Sequence, residues 1–416
     1  MTESTVPTTS ARAADRFIDH SRLGAELGFS HQLIEDEKFR GDMISISGRE
    51  LANFGLSSYL GLSDDPRLKD AAIDAISRYG NAYSSSIAYT ALPLYGELRD
   101  RLGAMFEAPV VIAGTTTLAH MAALPTIVRR GDLVLVDTLA HASIQFVLPA
   151  LRAQGAEVRR VPHNDLDRVA TRLEATSQRV WYFIDGLYSM HGDTAPAEEI
   201  RQLLEAHDNF WVYCDDAHSL GWSGTTGRGQ FLERSGWHER LVMAFGLSKS
   251  FGSLGGVVAA ADASVIDNIG LAGGPLVFGG PLPPASLAAG IASADIHLSD
   301  ELGVLQGELY ERIHLVNSYS RQIGLPLSSY EETPLWFVEL GGAMTTASAA
   351  ARLRHDGFFL NVAVHPVVPR GRAGVRFTVT RHNSMQQIGE MLDSLHATWS
   401  RYRGREDVLD LSAFED

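Results

Sequence analysis

Short apolar runs recur along the chain up to about residue 260, and segments of helical composition separate most of them. Apolar runs that alternate with helices are typical of parallel strands buried on both faces. The pattern therefore predicts an α/β fold with a doubly wound, mainly parallel sheet and helices on both of its faces. The predicted strands are Val110–Ala113, Leu133–Val136, Val180–Ile184, Phe210–Cys214, Leu241–Phe245 and Val257–Ala260.

Two helices are predicted from their own sequence signals. Asp65 can cap a helix that begins at Pro66, and its apolar stripe ends at Tyr79, immediately before Gly80. Residues 197–206 have helical composition and lie between two predicted strands. The spacing predicts helices over residues 66–79 and 197–206.

The pattern changes after residues 281–284, which contain three prolines. A long helical region follows, and then short apolar runs separated by turns with glycine and proline. These runs predict strands at Trp336–Leu340, Asn361–Val364 and Val375–Val379. We expect an N-terminal tail and arm over residues 1–50, a large domain over 51–285 and a smaller α+β domain over 286–416.

Composition narrows the possible function classes. The 416 residues are 45% hydrophobic and 20% charged, enough for two or three packed units with a large core. The net charge of −15 argues against a nucleic-acid partner, which needs a concentrated basic surface. No apolar run reaches the roughly 20 residues that span a bilayer, and residues 1–14 lack the apolar segment of a signal peptide. We expect a cytoplasmic protein without membrane insertion.

Polar residues follow the predicted strands near their ends. They are Gly114, Asp137, Asp185, Asp215 and Lys249. In sheets of this kind, ligands bind beyond the carboxyl ends of the strands, where such residues converge. The functional site is therefore expected at this edge of the sheet.

Three of the residues near this edge form a set with a specific chemistry. Asp215 can keep a pyridine nitrogen protonated, His218 can hydrogen-bond a ring hydroxyl and Lys249 can form a Schiff base, as pyridoxal phosphate requires. The small and apolar neighbours of Lys249 favour a depressed ammonium pKa. The single cysteine, Cys214, excludes an internal disulfide, fits a reducing compartment and is expected on the opposite face of its strand from Asp215.

Other residues could complete a cofactor site, although each has a simpler interpretation. Thr115 and Thr116 follow a strand and open a helix, so they could receive a phosphate or only cap the helix. His141, just past a strand end, could stack on a pyridine ring or serve only the fold. Arg376 lies on a predicted strand, on the face opposite its apolar neighbours, and could clamp a substrate carboxylate.

A metal site is an alternative interpretation of the same segment. Asp215, Asp216 and His218 supply carboxylates and an imidazole, which would suit a metal-dependent hydrolase. Against this alternative, the sequence contains no His-x-x-x-His pair to complete the ligand set. We therefore predict no metal at the site.

Taken in order, the motifs between residues 50 and 395 resemble those of the α-oxoamine synthase family. Any one motif could arise by chance, so the resemblance depends on the ordered set. The motifs are Ser58-Tyr59-Leu60-Gly61-Leu62, Leu139-Ala140-His141-Ala142-Ser143, Pro162-His163-Asn164-Asp165, Asp185-Gly186-Leu187-Tyr188-Ser189-Met190-His191-Gly192-Asp193, Asp215-Asp216-Ala217-His218, Gly224-x-x-Gly227-Arg228-Gly229, Lys249-x-Phe251-Gly252 and Arg376-Phe377-Thr378-Val379-Thr380.

The resemblance implies a pyridoxal-phosphate enzyme of fold-type I, the aspartate-aminotransferase-like fold. It also implies a homodimer with active sites at the subunit interface. The implied reaction is a decarboxylative, Claisen-type condensation of a small amino acid with an acyl thioester, of coenzyme A or of a carrier protein, to give an α-aminoketone. Another fold-type I enzyme, an aminotransferase or an aldolase, would use the same aspartate and lysine and is the alternative.

The resemblance also assigns roles to individual residues. Lys249 would carry the cofactor, Asp215 would pair with the pyridine nitrogen and His141 would stack on the ring. His218 and Ser189 would lie near the ring hydroxyl. At the phosphate and the substrate carboxylate, the implied residues are Thr115, Thr116 and Arg376.

The chain departs from the family pattern on the substrate side. Ser57 replaces an asparagine that lies near the reacting groups, and residues 83–87 lack the arginine of a glycine-rich segment. We expect Ser57 and Ser86 to bind substrate, and these altered segments to determine specificity.

The phosphate side also departs from the family pattern. Gly246 replaces a threonine, and residues 279–281 replace a Ser-Thr-Ser segment. Ser248, immediately before Lys249, is expected to compensate for the first loss by contributing a hydroxyl to the cofactor.

Overall fold

The computed structural model describes residues 13–414, so residues 1–12 of the expected N-terminal tail lie outside the described residues. Its strands form three sheets. The strands are β1 (Met43–Ile46), β2 (Arg49–Asn53), β3 (Val110–Ala113), β4 (Leu133–Asp137), β5 (Glu157–Val161), β6 (Val180–Asp185), β7 (Phe210–Asp215), β8 (Leu241–Gly246), β9 (Gly256–Ala260), β10 (Leu335–Gly341), β11 (Phe358–Phe359), β12 (Asn361–Ala363) and β13 (Ala373–Thr378).

Helices pack around these strands and vary from short turns to one of 23 residues. They are α1 (Ala13–Glu26), α2 (Pro66–Tyr79), α3 (Pro93–Phe106), α4 (Thr116–Ile127), α5 (Ala142–Gln145), α6 (Leu148–Ala153), α7 (Leu166–Glu174), α8 (Ala197–Ala206), α9 (Gln230–Ser235), α10 (Ala263–Ala272), α11 (Gly274–Phe278), α12 (Pro284–His297), α13 (Glu301–Ile323), α14 (Ala343–His355) and α15 (Met385–Tyr402).

The largest sheet has seven strands in the order β3-β9-β8-β7-β6-β4-β5. The five strands from β4 to β8 are parallel, whereas β9 is antiparallel to both β3 and β8. Apolar side chains on the two faces belong to two separate core clusters, for example Val212 and Cys214 on one face and Tyr213 on the other. The predicted α/β fold with a mainly parallel sheet is confirmed, and Cys214 lies on the face expected for it.

Local signals placed the predicted elements accurately. Each of the six predicted strands of the large sheet agrees with the structure within one residue, and the helices over 66–79 and 197–206 agree in full. The Asp65 carboxylate accepts a hydrogen bond from the Arg67 backbone N–H at 2.9 Å, and Gly80 ends the helix with a φ of 78°. These side chains act within one turn, which is why sequence alone was sufficient.

Strand β5 was missed by the sequence analysis. It is an edge strand of the large sheet, and most of its side chains are exposed. Arg159 and Arg160 are both exposed, and an edge strand of this kind lacks the apolar run on which strand prediction relied. The strand is therefore defined by its parallel pairing with β4.

The C-terminal part of the chain forms a second core. Strand β13 pairs antiparallel with β10 and β12, and β2 pairs with β1 and β11. Apolar residues of α13, α15 and β10 share one cluster with Phe54, Tyr59 and Leu62 from the N-terminal part. The domain limits at residues 50 and 285 stay a prediction, and the packing shows that residues 52–62 contact the C-terminal core.

None of the helices within residues 13–414 combines the length and the hydropathy needed to cross a membrane.

Candidate active site

A cavity of about 480 Å³ lies at the carboxyl edge of the large sheet. The register places Asp185 beside Asp215 and Asp215 beside Ala244, so the ends of β6, β7 and β8 meet at the cavity. Ten of the predicted site residues line it: Ser57, Thr115, Thr116, His141, Ser189, Asp215, His218, Ser248, Lys249 and Arg376.

Lys249 lies in the tight turn between β8 and β9. The Gly252 N–H donates to the Lys249 carbonyl at 3.1 Å, and the Leu247 N–H donates to the Gly255 carbonyl at 2.9 Å. Gly252 has a φ of +75°, and a Cβ there would lie 2.7 Å from the Leu62 carbonyl carbon, so only glycine fits. Burial lowers the pKa of Lys249 to about 8 against the attraction of Asp215, which gives an amine that releases its proton near neutral pH.

Asp215 is the last residue of β7 and is 6% exposed. One carboxylate oxygen accepts a hydrogen bond from His120 Nε2 at 2.9 Å, and the other accepts from the Ala217 N–H at 3.1 Å. Burial alone would raise the pKa of Asp215, but His120 and Lys249 outweigh it and lower the pKa to about 2. Asp215 therefore carries a negative charge inside the protein.

Asp185 lies beside Asp215, and its pKa shifts in the opposite direction. Burial and the charge of Asp215 raise the pKa of Asp185 well above its usual range. Its Oδ1 accepts a hydrogen bond from the His141 N–H at 2.9 Å. The Asp185 carboxyl therefore fixes the start of α5, where the His141 side chain is exposed to the cavity.

His218 faces the cavity beside a buried tyrosine. Its Nδ1 and the Tyr59 hydroxyl are 2.8 Å apart. Burial, and after it the charges of Lys249 and Arg376, lower the pKa of His218 well below its usual value, so the imidazole is neutral. Because Nδ1 is engaged by Tyr59, Nε2 is the ring nitrogen left for a ligand.

Arg376 projects from β13 into the same cavity. Its Nε donates to the Ser189 carbonyl at 2.6 Å, and Ser57 and Asn361 lie nearby in the cavity wall. The bond to Ser189 orients the guanidinium, whose remaining N–H groups can hold a carboxylate in a bidentate manner.

The opposite end of the cavity is built from hydroxyls and a helix terminus. Thr115 caps α4, its hydroxyl oxygen accepting from the Leu118 N–H at 3.2 Å. The first N–H groups of α4 are free of helical partners and carry the positive end of the helix dipole, which suits a phosphate. A Cβ at Gly246 would lie 2.7 Å from the Thr116 hydroxyl oxygen, so Thr116 occupies the space beside this glycine.

The donor set fits pyridoxal phosphate. A helix N-terminus can receive the phosphate, an ionised carboxylate can face the pyridine nitrogen, and a neutral imidazole can reach the ring hydroxyl. A lysine with a lowered pKa completes the set. Each group lies on the wall of one cavity, which is a closer match than any of the residues could give alone.

Two sequence interpretations find no support in this geometry. Ser86 is absent from the cavity wall and donates to the Val277 carbonyl at 2.5 Å, so its substrate role stays a prediction. Asp216 contacts Gly186, Gly229 and the Phe231 N–H, outside the cavity wall. Within residues 13–414, no three potential metal ligands lie close enough to hold an ion.

The sequence analysis missed several residues that shape the site. They are Tyr59, His120, Tyr213 and Asn361. His120 left one signal, because it is the only ionisable residue in the apolar helix α4 and lies one turn after Thr116. Tyr59 lay inside a family motif, but its partner His218 is 159 residues away, which no local pattern can show.

Comparison with known proteins identifies the family. A family model described as aminotransferase class I and II matches residues 49–386. The 8-amino-7-oxononanoate synthase of Symbiobacterium thermophilum is 34% identical, covering 83% of this chain and 88% of that protein. The enzyme of the same name from Maricaulis maris is 31% identical, covering 93% and 97%.

A solved structure shows the same fold. A serine palmitoyltransferase variant from S. paucimobilis, solved with a bound PLP–myriocin aldimine, superposes with a TM-score of 0.84 at 23% identity, covering 93% of this chain and 98% of that chain. This likeness confirms the predicted fold-type I architecture. The chain belongs to the aminotransferase class I and II family and, within it, to the α-oxoamine synthases, which are C-acyltransferases dependent on pyridoxal phosphate.

Proposed function

We propose that this enzyme condenses a small amino acid with an acyl thioester, with loss of carbon dioxide and release of a thiol, to give an α-aminoketone. The observation that carries the proposal is the joint presence of Lys249, ionised Asp215 and Arg376 on the wall of one cavity. The acyl donor would be a thioester of coenzyme A or of a carrier protein. The relatives named 8-amino-7-oxononanoate synthase support the same reaction class.

The proposal assigns the cofactor to the residues already described. Thr115, Thr116 and Ser248 would hold its phosphate end, and Asp215 its ring nitrogen. When bound, pyridoxal phosphate supplies an electron sink that stabilises negative charge at the α-carbon of an amino acid. His141, His218 and Ser189 would orient the ring, because their polar groups lie on the cavity wall between these two ends.

The chain's own residues would then position and deprotonate the amino acid. Arg376 binds the substrate carboxylate, and its Nε bond to Ser189 sets the direction of the guanidinium. The Lys249 amine removes a proton from the α-carbon, for which a pKa of about 8 is suited at neutral pH. Ser57, on the same cavity wall, would contact the reacting groups.

We also infer a homodimer. Large apolar side chains are exposed on neighbouring segments, with Tyr89 at 86%, Leu271 at 80% and Phe278 at 90% exposure. The Ser86–Val277 hydrogen bond ties residues 84–90 to α11, so Tyr89 and Phe278 lie on linked segments. Surfaces of this kind are typical of subunit interfaces. The cytoplasmic location expected from the sequence stays a prediction.

The dimer is tested by the mass of the protein in solution. Phe278→Asp is expected to halve the mass measured by light scattering, because it places a charge in the interface. Val304→Asp is the matched control, because Val304 is 61% exposed on α13, outside this surface. Unchanged mass in the Phe278 variant, or equal loss in both variants, would contradict the inference.

The reaction is tested with the holoenzyme and a panel of small amino acids, each with acyl-coenzyme A and acyl-carrier-protein donors. We expect one combination to release thiol and carbon dioxide in equal amounts, and Lys249→Ala to release neither. Transfer of the amino group to a keto acid without thiol release would indicate an aminotransferase. Release of an aldehyde without thiol would indicate an aldolase, and either outcome would overturn the proposal.

A further inference from the structure

A buried imidazole and a buried phenol stand behind the carboxylate of Asp215. His120 and Tyr213 are both fully buried. The Tyr213 hydroxyl is 2.7 Å from His120 Nδ1, and His120 Nε2 is 2.9 Å from Asp215 Oδ2. The three groups form one continuous chain of hydrogen bonds, from the core of the sheet to the cavity wall.

The hydrogens of the Tyr213 hydroxyl and of His120 Nε2 can be assigned from the chemistry of these groups. Burial raises the pKa of Tyr213 well above its usual value, so the phenol keeps its proton. Within residues 13–414, His120 Nδ1 is the one hydrogen-bond partner of that hydroxyl, at 2.7 Å. Because the carboxylate of Asp215 is ionised and can only accept, His120 Nε2 carries a hydrogen and donates it to Asp215 Oδ2.

The second oxygen of Asp215 is also held. It accepts from the Ala217 N–H at 3.1 Å, so both oxygens have a fixed donor and the carboxylate cannot rotate without losing one of them. His120 lies one helical turn after Thr116 on α4. Helix α4 therefore contributes its N-terminus to the phosphate end of the cavity and also anchors the Asp215 carboxylate through His120.

We propose that His120 and Tyr213 are positioning residues that hold Asp215 as an ionised acceptor aimed at the pyridine nitrogen of the cofactor. The geometry supports this role, because each carboxylate oxygen of Asp215 has one donor, at 2.9 Å from His120 and at 3.1 Å from the Ala217 N–H. The contact with Tyr213 at 2.7 Å in turn fixes the plane of the His120 ring.

The other ionisable groups near Asp215 do not duplicate this role. Asp185 lies beside it on β6 with its pKa raised, His141 on α5 is exposed to the cavity, and Lys249 lies in the turn after β8. None of them forms a hydrogen bond with the Asp215 carboxylate among the described residues. The orientation of Asp215 therefore depends on His120 and the Ala217 N–H.

The inference is tested on holoenzyme reconstituted with ¹⁵N-labelled pyridoxal phosphate, with the ring nitrogen resonance and the cofactor dissociation constant as readouts. Neither readout depends on acyl transfer, so a failure of the proposed reaction would leave this test intact. His120→Phe keeps an aromatic ring at this position and removes both hydrogen bonds. We expect its resonance to move toward that of an unprotonated pyridine and its dissociation constant to rise about 10-fold or more.

Two further variants distinguish positioning from packing. His120→Gln, whose amide N–H can reach Asp215, is expected to restore most of both readouts. Tyr213→Phe removes only the hydroxyl that bonds to Nδ1 and is expected to give a smaller change in the same direction. Its matched control is Tyr182→Phe, because Tyr182 is buried on the neighbouring strand β6 and its hydroxyl faces Asp137 instead.

The results with these variants either support or overturn the proposal. A wild-type resonance and dissociation constant in His120→Phe would overturn the proposal, as would equal changes in Tyr213→Phe and Tyr182→Phe. If His120→Phe does not fold, the pair Tyr213→Phe and His120→Gln decides. A resonance shift in Tyr213→Phe with little change in His120→Gln supports the proposal. The absence of a shift in Tyr213→Phe overturns it.

Discussion

The two ends of the active-site cavity are built in different ways. At the Asp215 end, Asp215, His120 and Tyr213 are buried, and each is held by hydrogen bonds of 2.7–3.1 Å. At the threonine end, defined by Thr115, Thr116 and Ser248, the side chains are exposed or half-buried and the donors are mainly backbone N–H groups of α4.

The difference shows which end tolerates change. A buried charge that loses a partner has no water to replace it, whereas an exposed hydroxyl can be replaced by solvent or by a neighbouring donor. Asp215, His218 and Lys249 match the family pattern, whereas Gly246 and residues 279–281 depart from it on the phosphate side. Substitutions at the Asp215 end are therefore expected to cost more than those at the threonine end.

The largest effect is expected at Asp215 itself. Asp215→Asn removes the charge that holds the ring nitrogen protonated, while the side chain keeps its size. We expect kcat to fall by about 10²–10³-fold, the range for breaking a buried charge-assisted contact. Steady-state kinetics at saturating cofactor measures this change. A fall in kcat of less than 3-fold would contradict the expected difference between the two ends of the cavity.

A third region links the end of β4 to two loops through His163. Its Nδ1 donates to Asp137 at 3.1 Å and its Nε2 to Asp193 at 2.5 Å. Burial opposes the charge, but the two carboxylates raise the pKa of His163 to about 9. Because the folded pKa exceeds the unfolded value near 6.5, the stabilisation is full below pH 6.5 and is lost as pH rises through 9.

His163→Gln tests this linkage. After allowance for the partial exposure of the side chain, we expect the variant to lose about 2 kcal/mol of unfolding free energy at pH 6 and little at pH 10. Urea unfolding at the two pH values measures the difference. An equal loss at both values would mean that His163 acts through packing rather than through its charge.

At the threonine end, Gly246 and Thr116 are expected to be coupled. A threonine at position 246 would place Cβ 2.7 Å from the Thr116 hydroxyl oxygen and displace it. We expect Gly246→Thr to raise the cofactor dissociation constant about 10-fold, or about 1.4 kcal/mol. Adding Thr116→Ala should restore most of the affinity, whereas adding Thr117→Ala, at the neighbouring position, should not. Equal effects of the two second substitutions would refute the coupling.

The smallest effect is expected at Ser248. Its side chain is exposed, so Ser248→Ala removes one hydroxyl that water can replace. We expect the cofactor dissociation constant to rise by about 3-fold or less, measured by absorbance titration. If Ser248→Ala raised the dissociation constant more than Gly246→Thr does, the expected order of effects at the threonine end would be contradicted.

The sequence predicted those features that depend on neighbours along the chain. The Asp65 cap, the buried parallel strands and the residues at their carboxyl ends were all readable, because each is set within one element. What it could not show are contacts across the fold. His120 was indistinguishable from a structural histidine until the sheet brought it 2.9 Å from Asp215, 95 residues away.

Two other features were out of reach for different reasons. Strand β5 is amphiphilic and polar, so it is defined by its pairing with β4 and not by its composition. Ser86 was predicted from a family motif that the chain only partly keeps, and in the structure its hydroxyl is taken by the Val277 carbonyl. A motif that has diverged gives the position of a segment more reliably than the role of one side chain.

The most direct test of the account asks which amine holds the cofactor. Borohydride reduction of the holoenzyme fixes pyridoxal phosphate to the amine that carries it, and peptide mass spectrometry then locates the added mass. We predict that the peptide containing Lys249 carries the cofactor and that Lys249→Ala holds none after reduction. Cofactor mass on another lysine, or unchanged labelling of the Lys249→Ala variant, would contradict the placement of the reaction centre at the ends of β7 and β8.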